Sequence, residues 1–297
     1  MADQFHGAWP ALLTPSTQDG GVNVSALRDL STHLLEKGIG GLYLCGSTGE
    51  GVFLSEPERR RVAEVVMDVV NDRVPVIVHV GTVATRHAVA LAEHARDLGA
   101  SGVASILPPF GRGLEEIYRH YEAIAAAVPD LPFYPYLFGG EADARSLMSG
   151  LLERIPTVAG AKYTGPNIHE LQAIVGMRAI GWTIFSGMDE QCLFAAMVGS
   201  PANIGSTLNL MPGVYREIRS AYEIGEVLRA RDLQLRVNRV TRVLQDYGFW
   251  GALFEALRLT GLNCGAPRLP RAALPLERRS ALCEALAGTD FTELVAM

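Results

Sequence analysis

Eight short apolar runs, rich in β-branched and aromatic residues, recur along the chain about 20 to 34 residues apart. They begin near Ala8, Gly41, Pro75, Ser101, Pro132, Thr157, Thr183 and Asn203. Because the runs are apolar on both faces, they are typical of parallel strands that are covered by helices. The pattern predicts an α/β protein with the architecture of a (β/α)8 TIM barrel.

Each run is followed by an amphipathic segment of helical period, for example over residues 23–37, 55–70, 84–98, 114–128 and 189–198. A doubly wound open sheet is the competing architecture. The barrel is favoured because no G-x-G-x-x-G motif follows the first run and because polar residues stand where successive strands end. Helical pattern alone continues over 230–247, 250–259 and 276–287. We therefore expect a catalytic barrel over residues 1–225 and a C-terminal helical region over 226–297.

The composition and the residue patterns argue against three kinds of partner: nucleic acid, a membrane and a metal ion. The chain of 297 residues carries 26 Lys and Arg against 32 Asp and Glu, a net charge of −6, and has no basic run suited to nucleic acid. It has no run of 18 apolar residues and no export signal, so we expect no membrane partner and a cytoplasmic location. The four cysteines form no CxxC pair and the seven histidines show no metal-ligand spacing, which predicts no metal site.

Lysine is rare in this chain, since 24 of the 26 basic residues are arginine. Of the two lysines, Lys37 stands before a glycine at a predicted helix end, where a solvated cation is favourable. Lys162 ends an apolar run, and a desolvated amine there can attack a carbonyl carbon, which a guanidinium cannot do. A buried structural ion pair is the alternative for Lys162. An amine-based covalent mechanism would need no cofactor.

The segment GSTGE, residues 46–50, follows the second run and precedes a helix. The hydroxyls of Ser47 and Thr48 and the backbone N–H groups of such a turn can converge on a carboxylate or phosphate, although a plain βα turn would look similar.

Tyr134 lies one strand-helix unit before Lys162, so both side chains can reach the same barrel mouth. A phenol there can relay protons, whereas a core tyrosine is the alternative. Asp189, Glu190 and Ser206 follow the seventh and eighth runs at the same end. For Asp189 a helix N-cap is the alternative.

Four segments carry a resemblance to a known family: GLYLCGSTGEGVFLSEPERR (41–60), GAKYT (160–164), FSGMDE (185–190) and NIGSTLN (203–209). The chain resembles the dihydrodipicolinate synthase / N-acetylneuraminate lyase family of pyruvate-dependent class I aldolases over nearly its whole length. The resemblance implies a homotetramer in which Lys162 forms a Schiff base with pyruvate or a 2-keto acid. It also implies that Ser47 and Thr48 hold the substrate carboxylate, that Tyr134 shuttles protons and that Gly187 borders the substrate.

Within the family, the GSTGE, G-x-D-E and NIGSTLN segments are similar to the N-acetylneuraminate lyase branch. There Thr164, Asp189, Glu190 and Ser206 match residues that contact the hydroxyl-rich tail of a sugar acid. The arginine of the synthase branch is replaced here by Gly139.

The resemblance implies a lyase that cleaves a 2-keto-3-deoxy sugar acid, with N-acetylneuraminate as one candidate, to pyruvate and an aldehyde. A pyruvate-condensing synthase or dehydratase, or a non-catalytic keto-acid-binding paralogue, is the alternative. A tyrosine that the family supplies across a subunit interface corresponds to Phe110 in this chain, and we expect Phe110 to pack near the neighbouring subunit's site.

Overall fold

A computed structural model describes residues 5–110, 113–140, 143–178 and 181–297. Its eight strands are β1 (Gly7–Pro10), β2 (Leu42–Leu44), β3 (Val76–His79), β4 (Gly102–Ile106), β5 (Phe133–Phe138), β6 (Gly160–Thr164), β7 (Thr183–Ser186) and β8 (Ala202–Gly205). They form one sheet in the order β1-β8-β7-β6-β5-β4-β3-β2, and every pairing is parallel. A parallel bridge between Ala11 and Tyr43 joins the two end strands and closes the barrel. The predicted (β/α)8 fold is confirmed.

A helix follows each strand on the outside of the barrel. These helices are α1 (Val24–Glu36), α2 (Glu56–Val70), α3 (Thr85–Asp97), α4 (Leu114–Ala127), α5 (Ala144–Arg154), α6 (Ile168–Val175), α7 (Cys192–Met197) and α8 (Pro212–Glu223). The start of α2 is set by a capping box, in which Glu58 N–H donates to Ser55 Oγ and the Glu58 carboxylate accepts from Ser55 N–H. Four more helices follow: α9 (Val227–Asp246), α10 (Phe249–Leu259), α11 (Arg279–Ala287) and α12 (Phe291–Ala296).

The predicted helices differ from the structure mainly at one place. Residues 189–198 do not form a single helix, because Gln191 adopts a φ of −119° and separates a 3₁₀ turn over Asp189–Gln191 from α7. Helices α5, α6 and α8 follow β5, β6 and β8, in agreement with the predicted alternation, whereas α12 has no counterpart among the predicted C-terminal segments. In the described part of the chain, no helix is long and apolar enough to cross a membrane.

The C-terminal helices pack back onto the barrel, where α9 lies against α8. Lys37 contributes to this packing, because its Nζ donates to the carbonyls of Val295 and Ala296 over 3.2 and 3.0 Å. The cation therefore meets the carbonyl end of α12, where a positive charge is favourable, rather than only the end of its own helix. The division of the chain at residue 225 into two domains stays a prediction.

Alternate residues of each strand point into the barrel. Near the amino end of β5, the interior is filled by an aromatic cluster in which the Tyr134 ring packs edge-on against Phe5 and Phe185. One level nearer to the carboxyl ends, Tyr136 pairs in register with Lys162 on β6. The barrel therefore has a closed apolar interior near the amino ends of the strands and a polar mouth at their carboxyl ends. The carboxyl ends carry the active site in this architecture.

Candidate active site

Lys162 lies in the middle of β6 and is only 4% exposed. Its Nζ atom lies 4.2 Å from the centre of the Tyr136 ring and 4.8 Å from that of Tyr43. Within the described residues, no carboxylate forms an ion pair with this amine. The structure therefore gives no support to a structural ion pair at Lys162, and it places the amine against two aromatic faces, where a carbonyl compound could reach it.

The two tyrosines of β5 lie at different levels of the barrel. Tyr134 belongs to the aromatic cluster, with its ring centre 5.4 Å from that of Phe185, and burial raises its pKa well above the ordinary value. Tyr136 lies beside Lys162, and its hydroxyl oxygen is 3.4 Å from Oγ1 of Thr164. The structure does not bring Tyr134 to Lys162. The proton-relay role stays a prediction, and the geometry favours Tyr136 rather than Tyr134 for it.

The reason for this difference is the strand period. Residues two apart on a strand share one face but stand about 7 Å apart along it. A sequence that places both tyrosines on the inner face therefore does not tell which of them is level with the amine. The register between Tyr136 and Lys162 decides it.

The GSTGE segment forms a tight loop between two residues with left-handed backbone, Cys45 at φ 55° and Glu50 at φ 56°. Such a conformation is uncommon for residues other than glycine and is concentrated at functional sites. A Cβ atom on Gly51 would lie 1.9 Å from the Cys45 carbonyl oxygen, so only glycine fits there. This backbone presents Ser47 and Thr48 together at the barrel mouth.

Two contacts bring other predicted site residues to the same mouth. The hydroxyl oxygens of Thr48 and Ser206 lie 2.7 Å apart and link the loops that follow β2 and β8. A Cβ atom on Gly187 would lie 1.8 Å from Oγ1 of Thr164 and 3.1 Å from Cε of Lys162. Gly187 therefore leaves the space that these two side chains occupy.

Asp189 is a buried carboxylate that ties two loops together. Its Oδ2 atom accepts from the N–H and the Oγ1–H of Thr207 over 2.9 and 2.7 Å. Its Oδ1 atom is buried without a partner in the described structure and fills the space beside Gly205. Burial raises the pKa of Asp189 to about 6, although the hydrogen bonds from Thr207 oppose this rise. Asp189 is thus not the N-cap that we considered, and its contact with substrate stays a prediction.

The Glu190 side chain, unlike that of Asp189, makes its hydrogen bond to the C-terminal region. Its Oε1 atom accepts from Gln245 Nε2 over 2.9 Å, and its backbone carbonyl accepts from Asn238 Nδ2 over 3.1 Å. Both partners belong to α9. The structure therefore does not bring Glu190 into contact with the other predicted site residues, and its binding of substrate hydroxyls stays a prediction.

Two features of the site have no counterpart in the sequence analysis. The first is Tyr43, whose ring contacts Lys162 and which lies three residues before the first glycine of the loop. The second is Glu50, which is fully buried, with Oε2 2.9 Å from Arg268 Nη1 and Oε1 3.0 Å from the Arg268 backbone nitrogen. The position of Tyr43 two residues after the start of an apolar run was a usable signal, whereas nothing in the sequence relates Glu50 to Arg268.

The described residues contain no group of three or more His, Cys, Asp or Glu side chains that could hold a metal ion. The chemistry that the described groups can perform is covalent attack by an amine, proton transfer by a phenol, and recognition of an anion by hydroxyl groups.

Comparison with known proteins shows the family of the chain. The dihydrodipicolinate synthetase family matches residues 4–288. The N-acetylneuraminate lyase of Homo sapiens is 32% identical over 278 residues, which cover 90% of this chain and 87% of that protein. The 4-hydroxy-tetrahydrodipicolinate synthase of Methanopyrus kandleri is 33% identical over 275 residues, with 91% of each protein covered.

The similarity extends to solved structures. A catalytic lysine mutant of the Ruminococcus gnavus sialic acid aldolase matches with a TM-score of 0.92 at 26% identity, covering 99% of this chain and 96% of that one. The match over nearly the whole sequence and the identity to curated relatives lead to one conclusion. The chain belongs to the dihydrodipicolinate synthetase family.

Proposed function

We propose that the protein is a Schiff-base-forming class I aldolase, a carbon–carbon lyase that cleaves a 2-keto-3-deoxy sugar acid to pyruvate and an aldehyde. N-acetylneuraminate is the first substrate to test, because the human relative is an N-acetylneuraminate lyase. The observation that carries the proposal is the buried amine of Lys162, which has no ion-pair partner in the described structure and lies 4.2 Å from the Tyr136 ring centre. The Ruminococcus gnavus relative also has a catalytic lysine.

The reaction follows from these groups. The ammonium form of Lys162 gives up a proton, and the resulting amine attacks the keto carbon to form a carbinolamine. That proton returns to the carbinolamine hydroxyl, which leaves as water, and a protonated imine forms. The bond between C3 and C4 of the substrate then breaks, its electron pair passes to the imine nitrogen, and the C4 hydroxyl gives up its proton as the aldehyde forms. Tyr136 relays this proton to C3 of the resulting enamine. Water hydrolyses the imine, which releases pyruvate and restores the amine.

The remaining predicted residues bind the substrate in this proposal. Ser47 and Thr48 hold the carboxylate, and Thr164, Gly187 and Ser206 border the part of the substrate that becomes the aldehyde. The proposal includes a homotetramer in the cytoplasm. The four free cysteines, of which three are buried, are typical of a reducing compartment.

Borohydride reduction in the presence of pyruvate tests the imine directly. We expect a reduced pyruvate adduct on the peptide that contains Lys162, detected by peptide mass mapping. Lys162→Arg should abolish the adduct, because a guanidinium does not form the imine. Lys37→Arg is the matched control, since it removes the only other lysine and should leave the adduct unchanged. An adduct at Lys37 alone, or none with the wild-type protein, would overturn the mechanism.

Substrate assays separate the alternatives. Release of pyruvate from a sugar acid supports the lyase, whereas consumption of pyruvate with aspartate semialdehyde supports the synthase. The synthase is a real alternative because the Methanopyrus kandleri synthase is 33% identical to this chain. A protein that forms the imine but converts no keto acid would be the non-catalytic paralogue.

A further inference from the structure

The hydroxyl group of Tyr43 is buried and has no hydrogen-bond partner in the described structure. Tyr43 is 1% exposed, so bulk water does not reach this group either. Folded proteins rarely leave such a group unsatisfied, because its desolvation is not compensated. The hydroxyl is therefore suited to a partner that the folded chain does not itself provide.

The ring of Tyr43 is close to both parts of the candidate site. Lys162 Nζ is 4.8 Å from the ring centre. A Cβ atom on Gly46 would lie 2.6 Å from Cε1 of Tyr43, so the loop can pass this close to the ring only because residue 46 is glycine. Ser47 and Thr48 follow Gly46 directly. Tyr43 thus contacts both the amine and the loop that carries the anion-binding hydroxyls.

The histidine beside Tyr43 already has partners for both of its ring nitrogens. His79 lies 6.1 Å away between ring centres, and its Nδ1 is 3.1 Å from the Cys45 carbonyl, which places the proton on Nδ1. Nε2 of the same ring accepts from Ile106 N–H over 3.0 Å. Burial lowers the pKa of His79 well below its ordinary value, so this neutral tautomer persists and offers Tyr43 no free acceptor.

The chemistry of the Tyr43 hydroxyl restricts the group that it can bind. Burial raises the pKa of Tyr43 well above its ordinary value, so the phenol stays protonated at neutral pH and acts as a donor. Donation to an ionised acceptor forms the stronger kind of hydrogen bond. In a keto acid, the carboxylate is attached to the carbon that Lys162 attacks. The Tyr43 ring, which contacts Lys162, is therefore close to that carboxylate.

We propose that Tyr43 is a further substrate-binding residue, whose hydroxyl donates a hydrogen bond to the carboxylate of the pyruvate moiety alongside Ser47 and Thr48. This inference rests on the proposed function, because it requires a keto acid bound at Lys162. The Tyr43 hydroxyl would bind the pyruvate moiety, which all 2-keto-acid substrates have in common. The part of the substrate that becomes the aldehyde is not involved in this contact.

The test compares Tyr43→Phe with the wild-type protein, using pyruvate and methyl pyruvate as probes. Both probes offer the same keto group to Lys162, but only pyruvate carries an ionised carboxylate. We measure the probe concentration that gives half-maximal trapping by cyanoborohydride. For Tyr43→Phe we expect this concentration to rise about tenfold or more with pyruvate, since one charge-assisted hydrogen bond is lost. It should rise much less with methyl pyruvate, whose ester oxygen accepts only a neutral hydrogen bond.

A second readout separates binding from a structural role. Tyr43→Phe removes a buried hydroxyl that bonds to nothing in the free protein, so we expect the Tm of the free protein to stay equal or rise. A structural hydroxyl would instead lower it. Tyr134→Phe is the matched control, because it makes the same change to a buried tyrosine in the same barrel, and it should alter trapping with neither probe.

Each outcome has one meaning. Unchanged pyruvate trapping in Tyr43→Phe, an equal loss with both probes, or a lower Tm would overturn the role of Tyr43. Failure of the wild-type protein to trap pyruvate would instead overturn the proposed function, which keeps the two failures distinct.

Discussion

Tyr134 and Tyr136 are two residues apart on β5, and only Tyr136 contacts Lys162. The distinction matters for chemistry because a proton relay must reach the reacting atoms, and Tyr134 is enclosed by the Phe5 and Phe185 rings. Asp189 and Glu190 divide in a similar way, since one carboxylate bonds to Thr207 and the other to Gln245. In both pairs, adjacent residues of one chemical type have different surroundings.

Phenylalanine substitutions at the two tyrosines should separate their roles. We expect Tyr136→Phe to lower kcat for sugar-acid cleavage by about 10²- to 10⁴-fold, as loss of a general acid–base group does, while pyruvate trapping at Lys162 persists. Tyr134→Phe should change kcat by less than about twofold, because its ring packing is preserved. Steady-state kinetics of both variants check this. Equal activity of Tyr136→Phe and wild type would remove Tyr136 from the mechanism.

The loop that follows β2 depends on the chain segment between α10 and α11. The guanidinium of Arg268 donates to Glu50 and to backbone carbonyls of the loop that follows β1, which belong to Thr14, Pro15, Gly20 and Gly21. Thr14 Oγ1 in turn donates to the Gly49 carbonyl over 2.7 Å. The conformation of GSTGE is therefore set by contacts with two distant parts of the chain.

Removal of the Arg268 side chain should lower the free energy of unfolding. Arg268→Ala removes the guanidinium from the Glu50 carboxylate, which is 0% exposed, and leaves it with the Arg271 guanidinium at 3.6 Å and the backbone N–H of residue 268 at 3.0 Å. We expect a loss of about 3 to 5 kcal/mol in the free energy of unfolding, as for other buried ion pairs that lose one partner. Urea unfolding measures it. Arg242→Ala is the control, because Arg242 forms an exposed pair with Asp246, and its loss should have no resolvable effect. Similar midpoints for both variants would contradict this account of Glu50.

An apolar surface borders the mouth of the barrel. Phe110 is 77% exposed, and Val52, Val83 and Leu114 are 72%, 62% and 50% exposed around a cavity of about 600 Å³ beside Ser47. Val52, Val83 and Leu114 line this cavity and Phe110 follows Pro109, which also lines it, and exposed apolar residues grouped in this way usually mark a protein interface. A second copy of the chain is the partner that the family resemblance implies.

Self-association should therefore depend on Phe110. We expect the wild-type protein to sediment as a tetramer at micromolar concentration, and Phe110→Asp to shift it toward smaller species, because a charge would be buried at the contact. Analytical ultracentrifugation measures both. Arg28→Glu, at an exposed position on α1, serves as a charge-change control and should leave the distribution unchanged. A wild-type monomer would contradict the assembly.

The sequence alone determined the barrel and most of its mouth. Strands that are buried on both faces must be continuously apolar, so the eight runs could be recognised without any knowledge of their partners. Polar residues that interrupt this pattern at the strand ends, such as Lys162, Ser47 and Thr48, also stand out locally. Since the carboxyl ends of all strands in such a barrel meet at one rim, local sequence predicted where these residues gather.

Only the tertiary structure decided which of several suitable side chains meet. The alternation along a strand identifies the face of Tyr134 and Tyr136 but not their level, which the register of β5 with β6 sets. The pair between Glu50 and Arg268 joins residues 218 positions apart, and no local pattern encodes a contact at that separation. That the Tyr43 hydroxyl lacks a hydrogen-bond partner could be seen only in the folded structure. A missing partner can be recognised only when the positions of all surrounding atoms are known.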